Sequence, residues 1–228
     1  MTPTATERTS YHHGSLREAL ALAAVELARA GGPSAIVLRE IARTVGVSPN
    51  AAYRHYATLS ELVGVVCRRT RDLMMQSMRA ELDRLVPLPD PREDAEQRLL
   101  AVGRGYVRFA LAEPGLFRTA FDNSSEGAAP LGPDLPATRK PTPWGLLRQA
   151  LADLAAVGAL ADPDQVQSAV FAWSAVHGLA MLLLNRQLAI PDAELEHLLA
   201  AQLRFIGRAL VTAPDAGPPE PPVPASLG

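Results

Sequence analysis

The stretch 38–56, LREIARTVGVSPNAAYRHY, constrains this chain more than any other part of it. Leu38, Ile41, Ala42 and Val45 recur at helical spacing and then stop at Gly46, so the pattern predicts a short amphipathic helix ended by a glycine turn. Ser48-Pro49 opens a second helix, with serine as N-cap and proline at the first position, where its missing amide costs nothing. Two helices this close need a small residue where they cross, which Ala42 supplies. They also need a turn residue free to take positive φ, which is Gly46. Ile41, Val45, Val47 and Ala52 lock the pair into a helix-turn-helix. The second helix then exposes its first turn, with Asn50, Ala51, Arg54 and His55, and the Ser48 hydroxyl and nearby amides face phosphate, as a major-groove reader requires. A helical hairpin inside a larger core has the same spacing. Against it stands the second helix's content, polar and aromatic where a buried helix carries leucine.

The rest of the chain is punctuated the same way. A first helix is expected from Ser15, where Ser15-Leu16-Arg17-Glu18 reads as a capping box, to the stop at Gly31-Gly32-Pro33. Further helices are expected over about 60–85, 93–112, 114–121, 144–157 and 164–187, the last capped by Asp162-Pro163, and from Pro191-Asp192 onward. Residues 122–143 hold five prolines without periodicity and read as a mobile surface loop, and the six prolines of 213–228 read as a disordered tail. No alternating strand pattern occurs. The expected fold is therefore all-α with about nine helices, organised as a flexible arm (1–14), a three-helix helix-turn-helix domain (15–66), a helical-bundle domain (67–212) and the tail (213–228).

Charge divides along the same boundary. Residues 1–75 carry nine arginines against six acidic residues, whereas 76–228 carry 13 basic against 18 acidic. A basic head on an acidic body suits one anionic partner, held at one end. A single cysteine, Cys67, rules out an intrachain disulfide and reads as a small core hydrophobe. Residues 1–15 lack an apolar signal segment, and the most apolar run, 169–184, falls short of the roughly 20 residues of a membrane span, so a soluble cytoplasmic protein without membrane partners is expected.

Helix 164–187 is apolar almost all round and must be covered on every side. Its own domain covers one face and a second copy the other, making the last two helices a homodimer seam closed as a four-helix bundle. A purely intrachain core is the alternative. Tyr106, Phe109, Phe117, Phe121, Trp144, Phe171 and Trp173 gather in this domain with His177, Asn185, Arg108 and Gln149 as polar company. That composition suits an apolar pocket with a few orienting groups. The tentative effector-pocket set is Tyr106, Phe109, Phe117, Phe121, Trp144, Trp173 and His177.

The arm Tyr11-His12-His13-Gly14, then Leu38-Arg39-Glu40-Ile41-Ala42, Gly46-Val47-Ser48 and Tyr53-Arg54-His55-Tyr56, resemble the TetR family of regulators. Trp173-Ser174-Ala175-Val176-His177-Gly178 resembles the tryptophan-histidine-glycine signature of one C-terminal subgroup. The resemblance implies a homodimer on a palindromic double-stranded operator, with Arg39, Ser48, Asn50, Ala51, Tyr53, Arg54 and His55 at the DNA. Tyr53 would bond phosphate, and Ala51 and Arg54 would face base edges, Arg54 being suited to guanine. Two positions depart from the family. Leu59 stands where such proteins commonly carry a phosphate-holding lysine, and Val37 replaces the usual Ser or Thr cap of the second helix. The expected function is a repressor released from its operator by a small, largely apolar effector, with no cofactor, metal or catalytic residue. A dimeric DNA-binding protein without an effector is the alternative. An enzyme is the more distant one, since no histidine cluster, phosphate loop or nucleophile motif is present.

Overall fold

A computed structural model describes residues 5–121 and 142–212, with side chains from residue 16 onward. Nine α-helices follow one another among these residues: α1 (Ala5–Gly31), α2 (Leu38–Val45), α3 (Pro49–Tyr53), α4 (Leu59–Asp83), α5 (Pro91–Ala112), α6 (Pro114–Phe121), α7 (Pro143–Ala156), α8 (Gln165–Leu184) and α9 (Asp192–Leu210). A single 3-10 turn, Pro33–Ala35, joins α1 to α2. The all-α class holds, and the described residues contain no strand beyond one bridge between Leu160 and Val211.

Helix starts coincide with capping side chains. Ser48 accepts from the Ala51 amide at 3.2 Å, Thr58 from Glu61 at 3.1 Å, Asp90 from Arg92 at 2.8 Å and Thr142 from Gly145 at 3.0 Å. Asp164 accepts from both Val166 and Gln167. Each such cap contributes about 1 kcal/mol.

Three boundaries differ from the sequence expectation. α1 begins at Ala5, ten residues upstream of Ser15, so residues 5–14 are helical rather than an arm. Nothing between Ala5 and Gly14 forbids a helix, and Gly14 within it costs only about 1 kcal/mol. The Glu18 carboxylate binds Arg69 of α4 at 2.5 Å instead of closing a capping box. α8 is capped by Asp164, with Asp162 two residues back accepting from the Asp164 amide. α8 also spans 20 residues at a mean hydropathy of 1.5, long and apolar enough by length and composition to cross a membrane, which corrects the shorter estimate. Here it packs on α5, α7 and α9. The loop expected at 122–143 falls outside the described residues up to position 141, as do 1–4 and the tail 213–228.

One continuous apolar core runs from head to body. α1 supplies Leu20, Ala24 and Ala28, α2 Ile41 and Ala42, α3 Ala52, and α4 Leu62 and Val66, all fully enclosed. Cys67 is buried among them, as expected, its thiol directed at the Thr119 carbonyl. The second half of α4 lies along α5, the centre of the body, which α7, α8 and α9 surround. Head and body meet a second time where α6 crosses the end of α1. A Cβ at Gly115 would overlap the carbonyl oxygens of Ala28 and Arg29, so only glycine permits the approach. The Arg29–Glu113 ion pair at 2.8 Å lies beside it.

Candidate DNA-binding surface and ligand cavity

The turn between α2 and α3 is built on Gly46, at φ 77° and ψ 29°. Its amide donates to the Arg43 carbonyl, and the Val47 amide reaches back to Ala42 at 2.9 Å. Those bonds satisfy the end of α2 and aim the chain into α3. Val37 sits at the start of α2 in extended conformation and makes no side-chain cap, in keeping with its apolar side chain.

Behind α3 lies a knot that ties three helices together. Tyr56, 2% exposed, donates its hydroxyl to the Arg17 carbonyl at 3.1 Å. The Arg17 guanidinium lies 4.2 Å over the Tyr56 ring, bonds Glu61 at 2.6 Å and also holds the His55 carbonyl. Glu61 in turn accepts from the Ala57 amide at 3.1 Å. The Arg17 bond holds the Glu61 carboxyl below the ordinary carboxylate range, and burial pushes the Tyr56 phenol up. Sequence reasoning missed Arg17 and Glu61. The signal for Glu61 was present, a Thr58-x-x-Glu61 capping pattern just upstream of an apolar run.

With the knot underneath, Arg39, Ser48, Asn50, Tyr53 and Arg54 are exposed, while Ala51 and His55 are half-buried. The Ser48 oxygen is engaged as a cap, and its O–H remains able to donate outward. Leu59 and Val37 are exposed too, at 42% and 45%.

The body encloses a cavity of about 50 Å³ whose walls come from α4 through α9. Tyr106, Phe121, Trp144 and Trp173 line it. His177 stands one bond behind: the Trp173 indole donates to the Tyr106 oxygen at 3.2 Å, and the Tyr106 hydroxyl meets His177 Nδ1 at 2.8 Å. Burial keeps His177 neutral by lowering its pKa, and pushes the Tyr106 phenol well up. Phe117 and Phe121 flank the imidazole at 5.6 and 4.6 Å between ring centres.

Phe117 and Phe109 are themselves buried in the packing, and neither is among the lining residues. Phe171 is not interior at all, being 46% exposed. Arg108 pairs with Glu81 and Glu196, Gln149 bonds Asp153, and Asn185 ends α8, so none of the three reaches the cavity. The rest of the wall was missed from the sequence, from Met74 and Met78 on α4 to Leu203, Ile206 and Gly207 on α9.

On the far side of α8 an apolar strip is uncovered. Val166, Val170, Phe171 and Leu182 are 39–46% exposed, and Phe205 of α9 is 61% exposed. A shallow groove lined by Leu182, Leu198 and Gln202 runs past Gly178, where an added Cβ would meet nothing within 4 Å.

Residues 99–206 match the family described as "Tetracyclin repressor-like, C-terminal domain", and it is that description, not the tryptophan-histidine-glycine subgroup, that the match carries. No curated protein matches the sequence. Among solved structures, a Rhodococcus sp. RHA1 protein of unknown function superposes with a TM-score of 0.67 at 22% identity, covering 89% of this chain and 98% of its own. A protein described as a TetR-family transcription regulator from Shewanella sp. PV-4 does so with a TM-score of 0.51 at 16% identity, over 86% and 98%. A transcriptional regulator from Rhodococcus sp. RHA1 gives 0.51 at 21%, over 87% and 99%. At these identities the structures speak for the fold. Over residues 99–206 this chain therefore resembles the tetracyclin-repressor-like C-terminal domain, behind a head built as a helix-turn-helix.

Proposed function

We propose that this chain is a DNA-binding transcriptional regulator of the TetR type, a homodimeric repressor that holds a palindromic operator through α2 and α3 and is released by a small, largely apolar effector bound in the body. One observation carries the reading: α4 belongs to both sites. Its first turn is tied into the knot behind α3 through Glu61, and further along it Met74 and Met78 form part of the cavity wall. A molecule that favours one position of α4 over another therefore biases the head, provided that it binds the two states unequally. The uncovered strip on α8 and α9 supports a two-fold seam, since apolar surface of that extent on a helix otherwise faces water. Arg39, Asn50, Tyr53 and Arg54 then serve the DNA, with Arg54 at a base edge and Tyr53 on phosphate. Ala51 approaches a base, and Ser48 and His55 support the contact. The site of action is the cytoplasm, where the operator is.

The test is binding to DNA flanking the protein's own gene over a salt series, with wild type and Arg54→Ala. Palindrome-specific binding that weakens steeply with salt, and that loses about 5- to 150-fold with its sequence preference in the variant, supports the reading. Specific binding untouched by Arg54→Ala would remove α3 as the reading element.

A further inference from the structure

The cavity wall holds one hydrogen-bond donor for which the fold provides no acceptor. Trp144 is 8% exposed, and its enclosed indole Nε1–H has no partner. Its neighbour Trp173 differs. The two rings meet at 5.6 Å and 64°, yet the Trp173 indole donates to Tyr106, whose hydroxyl also bonds His177. Native interiors pair nearly all such groups, because an unmet buried donor loses its bond to water and gains nothing in return. An orphan donor in the wall of a cavity thus marks where a bound molecule supplies the acceptor. Water is a poor occupant, since it needs two to four polar partners. Among the described residues the wall offers, besides Trp144, only the Tyr106–Trp173 pair, already bonded to each other.

The same wall sets the charge of the occupant. Among the described lining residues no side chain is ionisable in the neutral range: they are aliphatic, aromatic or methionine, with one proline and two glycines. A carboxylate or an ammonium would lose its hydration there without a counter-charge. The Met74 and Met78 side chains are unbranched and adaptable, so the space can widen around a guest larger than its resting volume.

We propose that the cavity takes a small, uncharged, predominantly apolar molecule with one acceptor oxygen, of the ketone, ester or lactone carbonyl type, which accepts the Trp144 indole N–H. This deepens the effector reading above and rests on it.

The probes are acetophenone, ethylbenzene and benzoate, which share a ring and differ at the acceptor. Full-length protein labelled with ¹⁵N-tryptophan gives two indole cross-peaks, since Trp144 and Trp173 are the only tryptophans, and Trp144→Phe assigns them. Acetophenone is expected to move the Trp144 indole proton downfield and to bind about tenfold more tightly than ethylbenzene, with benzoate weakest. In Trp144→Phe the preference for acetophenone over ethylbenzene disappears. Equal binding of the two neutral probes to wild type, a preference that survives in Trp144→Phe, a preference for benzoate, or no binding of any of the three overturns the proposal. Should Trp144→Phe fail to fold, Trp173→Phe assigns the peaks, and a Trp144 signal unmoved by bound acetophenone overturns it just as well. The titration contains no DNA, so its failure leaves operator binding standing, and a failure of operator binding leaves this result untouched.

Discussion

The head and the body of this molecule are both helical, but they are held together differently. In the head, position is set by polar bonds: the Gly46 turn and the Ser48 and Thr58 caps, each within a few residues, and the Arg17–Tyr56–Glu61 knot, which joins α1 to the start of α4 beneath an exposed surface. In the body, position is set by apolar packing among helices far apart in sequence, around a space that the packing leaves open. The difference teaches where each is vulnerable. The head fails when a particular bond is removed, the body when a volume is changed.

The largest test of that contrast sits where the two regions touch. Gly115→Leu places a side chain against the Ala28 and Arg29 carbonyls, backbone atoms that cannot step aside. A loss of about 3 kcal/mol, or roughly 6–12 °C in melting temperature, is expected. Gly178→Glu is the counterpart on open ground, since nothing lies within 4 Å of its added Cβ. Helix content and melting of the single chain should hardly change, while sedimentation shifts from the proposed dimer to monomer because a charge would stand in the proposed seam. A variant that remains dimeric would move the seam away from α8.

A smaller effect is expected inside the head. Arg17→Ala removes the bonds to Glu61 and the His55 carbonyl together with the cover over Tyr56. Because Arg17 and Glu61 are both more than 40% exposed, the loss should be about 1–2 kcal/mol. Operator affinity should fall along with thermal stability, since the knot backs α3. Stability that falls while affinity holds would show α3 to be positioned by its caps alone.

The same contrast explains what could be read from the sequence. The bounds of α2, the Gly46 turn, the Ser48 cap and the exposure of Arg54 are legible because each signal is complete within a few residues. Helix number and order in the body are legible for the same reason. The cavity wall is not. That Met74 and Met78 face inward, or that Phe171 faces out, depends on which side of α4 meets α5 and which side of α8 is left bare. Glu81 makes the point sharply. It is a helix-surface residue by pattern, yet its carboxylate is 5% exposed between Arg104 and Arg108, with Arg108 continuing to Glu196 of α9. Such a chain across three helices has no local signature.

The finest test separates the regions by acid. His177 in the body has its pKa lowered by burial, so the folded state refuses a proton that the unfolded chain accepts. Its contribution is complete above the ordinary histidine value of 6.5 and is lost as pH falls below it. Glu61 in the head is lowered by its bond to Arg17, so its contribution is complete above the ordinary 4.5 and is lost only as pH falls further. Acid therefore weakens the body before the head. Melting curves taken between pH 7.5 and 5.5 should fall more steeply for wild type than for His177→Gln, by about 1–2 °C over the range. Glu61→Gln should run parallel to wild type there and diverge only below about pH 4.5. Equal slopes for wild type and His177→Gln would mean that the Tyr106–His177 bond does not hold the cavity wall, which is then kept by packing alone.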